Sequence, residues 1–482
     1  MITDVEIAWA SLAGKQEQYN AYWDYMEGRH PLVYNASKLR EIFKNIDATF
    51  NENWSSVVVN TVLDRIAIER FQVGDGTDTT QGDALLDLWR STGLDLDSYD
   101  AHLCALVTGE AFIVCGEDED TGEAQAYFND SRLCHMVYED ANPRKPRFAA
   151  KWWEELDPNA TGARSAYLTR LTLYYPDRFE YYTARGQRAD ISTGKAFQPD
   201  TPPTAPNPYG EINVYHIRRE QRAIISELAD IITPQAQLNK VLADMMIAAE
   251  YGAYKQRYVI SNMTGLDKKI KNAPNQIWDL APGDGEGQPT SVGEFSATEL
   301  SNYLAAIERS AGVIATIAGI PKTLLFAQGD IPSGASLRAL EAPLVRKAER
   351  YAGRWEVTWR KVLRWLMAQA GLGDVPTTDI DVVWSEPATT QPEVDATTVK
   401  TLVEAGVPLR TALRRQGWSD AELDQLQQDK EDEDAAGADL ATAYLAAAEA
   451  NANRQASNAP ALNGQPAFSI SAQNSAGVTA NG

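Results

Sequence analysis

The chain has only three cysteines, Cys104, Cys115 and Cys134, and none lies in the Cys-x-x-Cys spacing used for zinc or disulfide exchange. An odd count cannot complete a disulfide framework, which predicts reduced, partly buried thiols in a cytoplasm-like compartment. No stretch approaches the ~18 uninterrupted apolar residues that cross a bilayer. No basic start followed by an apolar core marks a leader. The expectation is a soluble protein without a membrane partner. Cations are scarce: 44 Lys and Arg against 67 Asp and Glu leave a net charge of −23. That balance excludes a surface built to grip phosphates all round, because tight DNA binding needs clustered cations to displace counterions.

Catalytic signatures are also missing. A phosphate-cradling loop needs Gly-Lys followed by Ser or Thr, and Gly194-Lys195 is followed by Ala196, which has no hydroxyl for magnesium. Gly283, Gly285 and Gly287 lack both the spacing and the preceding strand of a dinucleotide fingerprint. No Gly-x-Ser-x-Gly elbow supports serine-hydrolase chemistry. His102, Cys104, Cys134 and His135 are four potential zinc donors without metal-site spacing, and they read as packed residues of the body. Asp118 to Glu123 departs from a calcium loop after Gly122 and reads as a turn. The expectation is no catalytic residue, no cofactor and no metal, hence not an enzyme.

What is present is periodicity. With 482 residues and 44% apolar content the chain can fill two to four structural units. The first ~225 residues read as a mixed α/β body. It has helices over Ser55 to Ala67, Gly82 to Ser91 and Tyr99 to Thr108. Strands are expected over Ile68 to Val73, Ala111 to Cys115, Ala124 to Phe128, Leu133 to Tyr138, Phe148 to Trp153, Tyr167 to Tyr174, Arg178 to Tyr182 and Ile212 to Ile217. Five prolines between Pro199 and Pro208 exclude helix or central strand and predict a surface loop or hinge.

Beyond the body, Leu238, Val241, Leu242, Met245 and Met246 put one apolar stripe on a helix expected over Pro234 to Tyr258. Leu300, Leu304, Ile307, Ala311, Ile314 and Ala318 repeat it. Narrow stripes suit helix packing better than a substrate pocket. Between the two helices lies a turn-rich insert, Ile260 to Phe295, and after them a loop, Lys322 to Ser333. A helix of more than 30 residues is then expected through Leu337, Leu344, Tyr351, Trp355 and Leu366, stopped by Gly371 and Gly373, with Asp379 to Trp384 returning to the body as a strand. Helices flank Gly406, residues 419 to 450 carry ten acids against Lys430 alone, and disorder is expected from Asn451.

Particular residues along this order resemble those of the portal proteins of tailed siphophages, head-to-tail connectors that ring one capsid vertex. They are Trp54, Val58, Val59, Asn60 and Arg65, Gly109 to Phe112, Ser226 to Leu228, Gln237 to Lys240, Asp244 to Met246, Glu250, Gln256-Arg257, Ile317 to Pro321 with Leu324, and Ser333 to Leu337 with Glu341. The resemblance implies an α+β, portal-like fold. Its parts are a mixed α/β wing (1–232), long-helix stem (233–259 and 296–320), small α/β clip insert (260–295), tunnel loop (321–335), long helix with return strand (336–392), helical C-terminal crown (393–450) and disordered tail (451–482).

It also implies a homo-oligomeric ring of about twelve copies. Double-stranded DNA would pass through non-specifically, with terminase, major capsid and scaffold proteins and a head-tail adaptor as partners, in the virion and, during assembly, the host cytoplasm. Lys322, Gln328, Asp330 and Ser333 would face DNA from the tunnel loop, and Lys268, Lys269, Lys271 and Trp278 would dock partners from the clip. The rival expectations are another oligomeric virion or scaffold protein, or a metal-dependent phage enzyme.

Overall fold

The chain opens on a helix that periodicity does not announce. In this computed structural model, which describes residues 2–31, 52–74, 79–118, 120–157, 166–253, 257–260, 291–294, 299–325, 334–388, 392–415, 418, 423 and 426–430, helix α1 runs Asp4–Met26. A capping box starts it: the Thr3 amide donates to the Glu6 carboxylate at 2.8 Å and the Glu6 amide donates back to the Thr3 hydroxyl at 3.3 Å. Its first half buries Val5, Ala8, Trp9 and Leu12 against Phe148, Trp152, Leu171 and Leu173. Its second half buries Tyr19, Tyr22 and Tyr25 in a different core with Trp54, Val58 and Val62. One helix serving two cores has no single stripe.

The first of those cores lies under a five-stranded antiparallel sheet. Strands β4 (Cys134–Glu139), β5 (Asn142–Leu156), β6 (Tyr167–Tyr174), β7 (Arg178–Arg185) and β8 (Gln198–Pro206) follow in spatial and sequence order. Here the proline-rich tract expected as a loop or hinge is instead the edge strand, pairing Arg178 with Pro206 and Glu180 with Thr204. Prolines cannot donate to a further strand, so they are compatible with an edge and protect it from pairing with another chain. A second sheet orders β3 (Ala124–Asn129), β2 (Glu110–Glu117) and β9 (Val214–Arg218), with β2 central and buried over its first six residues.

The second core gathers around helices α2 (Trp54–Leu63), α3 (Thr80–Ser91) and α4 (Leu94–Thr108) and strand β1 (Ile68–Val73). α2 ends four residues before the expected Ala67, and α4 starts five before the expected Tyr99, from Gly93 in a left-handed conformation at φ 77. After the stem-like elements described below, a 36-residue helix, Gly334–Gln369, ~54 Å long at 1.5 Å per residue, lays Leu344, Ala348, Tyr351, Trp355, Trp359, Val362 and Leu366 into this same core. The following strand, β12 (Ile380–Trp384), pairs antiparallel with β1, as the expected return strand does.

Two buried polar nodes lock these layers. The Glu110 carboxylate receives the Lys15 ammonium at 2.8 Å and the Tyr19 hydroxyl at 2.9 Å, and lies 2.9 Å from His216 Nε2. Burial alone would raise its pKa, but Lys15 and His216 outweigh it and hold the carboxyl well below the usual range. His102 stacks on Trp355 at 4.5 Å and accepts from Trp359 Nε1 at 2.9 Å. Burial pushes its pKa down to about 3, opposed only by its bond to the Ile66 backbone.

The linkage sign follows. Between the ordinary value near 6.5 and about 3, the unfolded chain holds a proton at this site that the folded chain does not, so stability falls as pH drops, by up to ~1.4 kcal/mol per unit. In urea unfolding between pH 7 and 5, His102→Gln is expected to flatten this slope by up to one proton; an unchanged slope contradicts the assignment.

Residues from Thr390 form a separate compact unit. Helices Pro392–Glu404 and Leu409–Arg415 turn at Gly406 (φ 90) and bury Val399, Ala412, Leu413 and Leu423. The expected tail from Asn451 lies outside the described residues.

Candidate assembly and channel surface

Helix α5 (Ile232–Ala253) and helix α6 (Ser301–Ala318) pack side by side and are joined at one end by a two-stranded pair, β10 (Arg257–Ile260) with β11 (Ser291–Glu294). The helix expected to reach Tyr258 therefore stops at Ala253, and Tyr258 is a strand residue opposite Gly293. Antiparallel pairing of β10 and β11 brings the two ends of the intervening segment together. Lys268, Lys269, Lys271 and Trp278 lie in that segment, outside the described residues.

The base of α5 is tied down by side-chain amides. Gln235 donates to the Glu52 carbonyl at 2.6 Å and accepts from the Trp54 amide at 3.1 Å; Asn239 accepts from the Glu52 amide at 3.2 Å and contacts His30 Nδ1 at 2.6 Å. These satisfy the buried start of α2 and the end of α1, groups that would otherwise be unpaired away from water. Sequence periodicity misses them because it scores apolar positions; the signal available was Gln and Asn at one-turn spacing inside an apolar stripe.

α6 has two faces with different fates. Ile307, Ala311, Ile314 and Ala318 of the expected stripe are buried within the protomer together with Ala315, whereas Leu300 and Leu304, expected on the same stripe, are exposed in the first turns of the helix. The opposite face, Ala305, Glu308, Arg309, Gly312, Val313, Thr316 and Ile317, lines with Lys322 an open groove of about 610 Å³. Val313 and Ile317 are 42% and 47% exposed, and a Cβ added at Gly312 would meet nothing within 4 Å. Nothing inside the protomer requires glycine there, although mid-helix glycine costs roughly 1 kcal/mol relative to alanine.

Gly319, left-handed at φ 69, ends α6 by donating its amide back to Ala315 and Thr316, and Pro321 follows. Lys322 then begins a short helix, α7 (Lys322–Leu325), where a loop was expected, and its ammonium bonds Glu308 at 2.7 Å. Gln328, Asp330 and Ser333 lie outside the described residues.

The end of α6 is held by the long helix Gly334–Gln369, here α8. Lys347 donates to the Ala318 carbonyl at 2.6 Å and pairs with the buried Glu227, which also accepts from the Tyr351 hydroxyl at 2.9 Å and lies 3.5 Å from Arg219. Farther along, Arg354 donates to the Arg219 carbonyl at 2.7 Å, Thr358 to the His216 carbonyl at 3.1 Å, and Arg364 forks onto both Glu211 oxygens at 2.6 Å. α8 is thus bolted to the body nearly turn by turn. Among the described residues no cluster of His, Cys, Asp and Glu is arranged to hold a metal ion; Cys104 contacts Ser131 Oγ at 3.4 Å and Cys134 lies in the hydrophobic core. Among the described residues no helix is long and apolar enough to cross a membrane.

The described residues thus form paired helices joined through a two-stranded neck and tied to an α/β body. The family model of SPP1 Gp6-like phage portal proteins matches residues 12–436. The chain belongs to that family. Two relatives are the portal proteins of Mycobacterium phage L5, 25% identical over 467 residues and covering 91% of this chain and 89% of theirs, and of Mycobacterium phage D29, 25% identical over 413 residues and covering 79% of each. A solved structure, the neck of an empty GTA particle, is 11% identical at a TM-score of 0.42, covering 78% of this chain and 95% of its own. This portal protein serves the capsid vertex as head-tail connector, and its family is structural rather than catalytic.

Proposed function

We propose that about twelve copies close into a ring, with α5 and α6 as the stem around an axial channel, residues 260–295 as the clip, residues 321–335 as the tunnel loop and residues 393–450 as the crown. Double-stranded DNA enters and leaves through that channel. A terminase motor docks on the clip during packaging and a head-tail adaptor replaces it later, while capsid and scaffold proteins surround the wing in the host cytoplasm. The observation that carries this reading is the second face of α6: an apolar groove with a glycine floor, on a helix whose other face is already buried in its own protomer.

The charge balance agrees with a conduit. A wall carrying few free cations has little grip on phosphate, so DNA can slide, and acidic groups act on it only within a screening length of about 8 Å. Lys322 is neutralised by Glu308, which suits that purpose. Electron microscopy of the purified protein tests the ring: particles with a central hole are expected, and compact monomers contradict it. Replacing residues 326–333 by a short Gly-Ser link is expected to leave rings intact and to block DNA packaging in an in vitro assay. Normal packaging by that variant removes the loop from the channel mechanism.

A further inference from the structure

Ring closure needs two different faces per copy, because a patch that pairs with itself makes a dimer and stops. The α6 groove is one such face. The outward side of α8 matches it in kind. Arg346, Glu349, Arg350, Gly353 and Val357 fall on one exposed stripe of that helix, opposite the buried Leu344, Ala348, Trp355 and Trp359. Val357 is 55% exposed. Gly353, like Gly312, would place a Cβ in open space. Two mid-helix glycines unexplained within the protomer, one on each stripe, are what close approach of two helix backbones requires.

Charge makes the match directional. Arg309 beside the groove has no ion-pair partner among the described residues, and neither do Arg346 and Glu349. In a parallel crossing, Arg309, Val313 and Ile317 on α6 have the same 4-residue spacing as Glu349, Gly353 and Val357 on α8. That register sets opposite charges together at one end, a valine over a glycine in the middle, and two exposed branched side chains at the other. Pairing α6 with the α6 of another copy would instead set Arg309 near Arg309, or valine against valine.

We infer that the α6 groove of each copy receives the Glu349–Gly353–Val357 stripe of its neighbour's α8, so that the stem of one subunit rests on the long helix of the next. This rests on the ring reading above and names the surface that fills the groove. It also places the neighbour's contact on the helix that is bolted to the end of α6, so each subunit's stem is braced from both sides.

Single-cysteine variants separate the possibilities, because the native Cys104, Cys115 and Cys134 are buried. Full-length Ile317→Cys and Val357→Cys are purified, mixed in equal amounts under mild oxidation and run on a non-reducing gel, with sedimentation velocity on the same samples. The mixture is expected to give disulfide-linked dimers at least tenfold above either variant alone. Rings without cross-linked dimers in the mixture overturn the pairing and leave the ring standing. Dimers from either variant alone also overturn it, since they require a self-matching face. Absence of rings from wild-type and variants alike overturns the ring reading and the pairing together.

Discussion

Aspartate at both Val313 and Ile317 is expected to abolish ring assembly while leaving the protomer folded. Both side chains are largely exposed in the isolated subunit, so the substitutions remove no core contact and the melting curve should move by no more than ~0.5 kcal/mol. In the ring proposed above the same positions would lie in a water-excluding contact. Each forfeits up to roughly 1.5–3 kcal/mol of apolar burial and adds a carboxylate that must be desolvated at the contact. Because ~1.4 kcal/mol is a factor of ten in affinity, association at every interface should weaken by more than a hundredfold. The measurement is sedimentation velocity at the concentration where wild-type rings form. Rings of normal stability in the double variant mean that the groove faces solvent or the channel.

Removing Glu227 is expected to give the largest loss of protomer stability. Its buried carboxylate meets Lys347 and the Tyr351 hydroxyl of the long helix and Arg219 of the body. Glu227→Ala leaves Lys347 with little water around it and no anion, and leaves Arg219 only Glu220 at 3.7 Å; breaking a buried pair in this way costs about 3–5 kcal/mol. Glu227→Gln keeps an acceptor for Tyr351 and should fall between. The consequence for assembly is local: Lys347 also holds the last carbonyl of α6, so the stem end loses its brace. Chemical denaturation of the monomeric groove variant isolates the effect from subunit contacts. A loss below about 1 kcal/mol would mean that the cluster is solvated in the free chain.

Patterns that repeat along one face were legible. From Ile307 onward the buried face of α6 follows the expected stripe, while Leu300 and Leu304 at its start are exposed, and the long helix after it has the expected length and core residues through Trp355 and Leu366. Alternation placed most strands to within a residue or two. The failures occurred where one element answers to two surroundings. α1 has no visible stripe because its halves enter separate cores. The proline tract looked like a hinge because a missing amide donor is fatal in a central strand and harmless at an edge. The Lys322–Glu308 pair left no trace in the sequence because the two residues sit 14 positions apart on different helices.

Composition and spacing were enough to read an acidic α+β chain with long helices around an insert, no common catalytic motif, and a set of dispersed residues resembling those of phage portals. Those properties reside in composition and short-range periodicity, which the backbone geometry of helices and strands translates directly. Only the tertiary structure decided which face of α6 is already used, which charges are spent inside the protomer, and which glycines have empty space before them. These depend on contacts between residues far apart in the chain, and a periodic pattern carries no record of its distant neighbours.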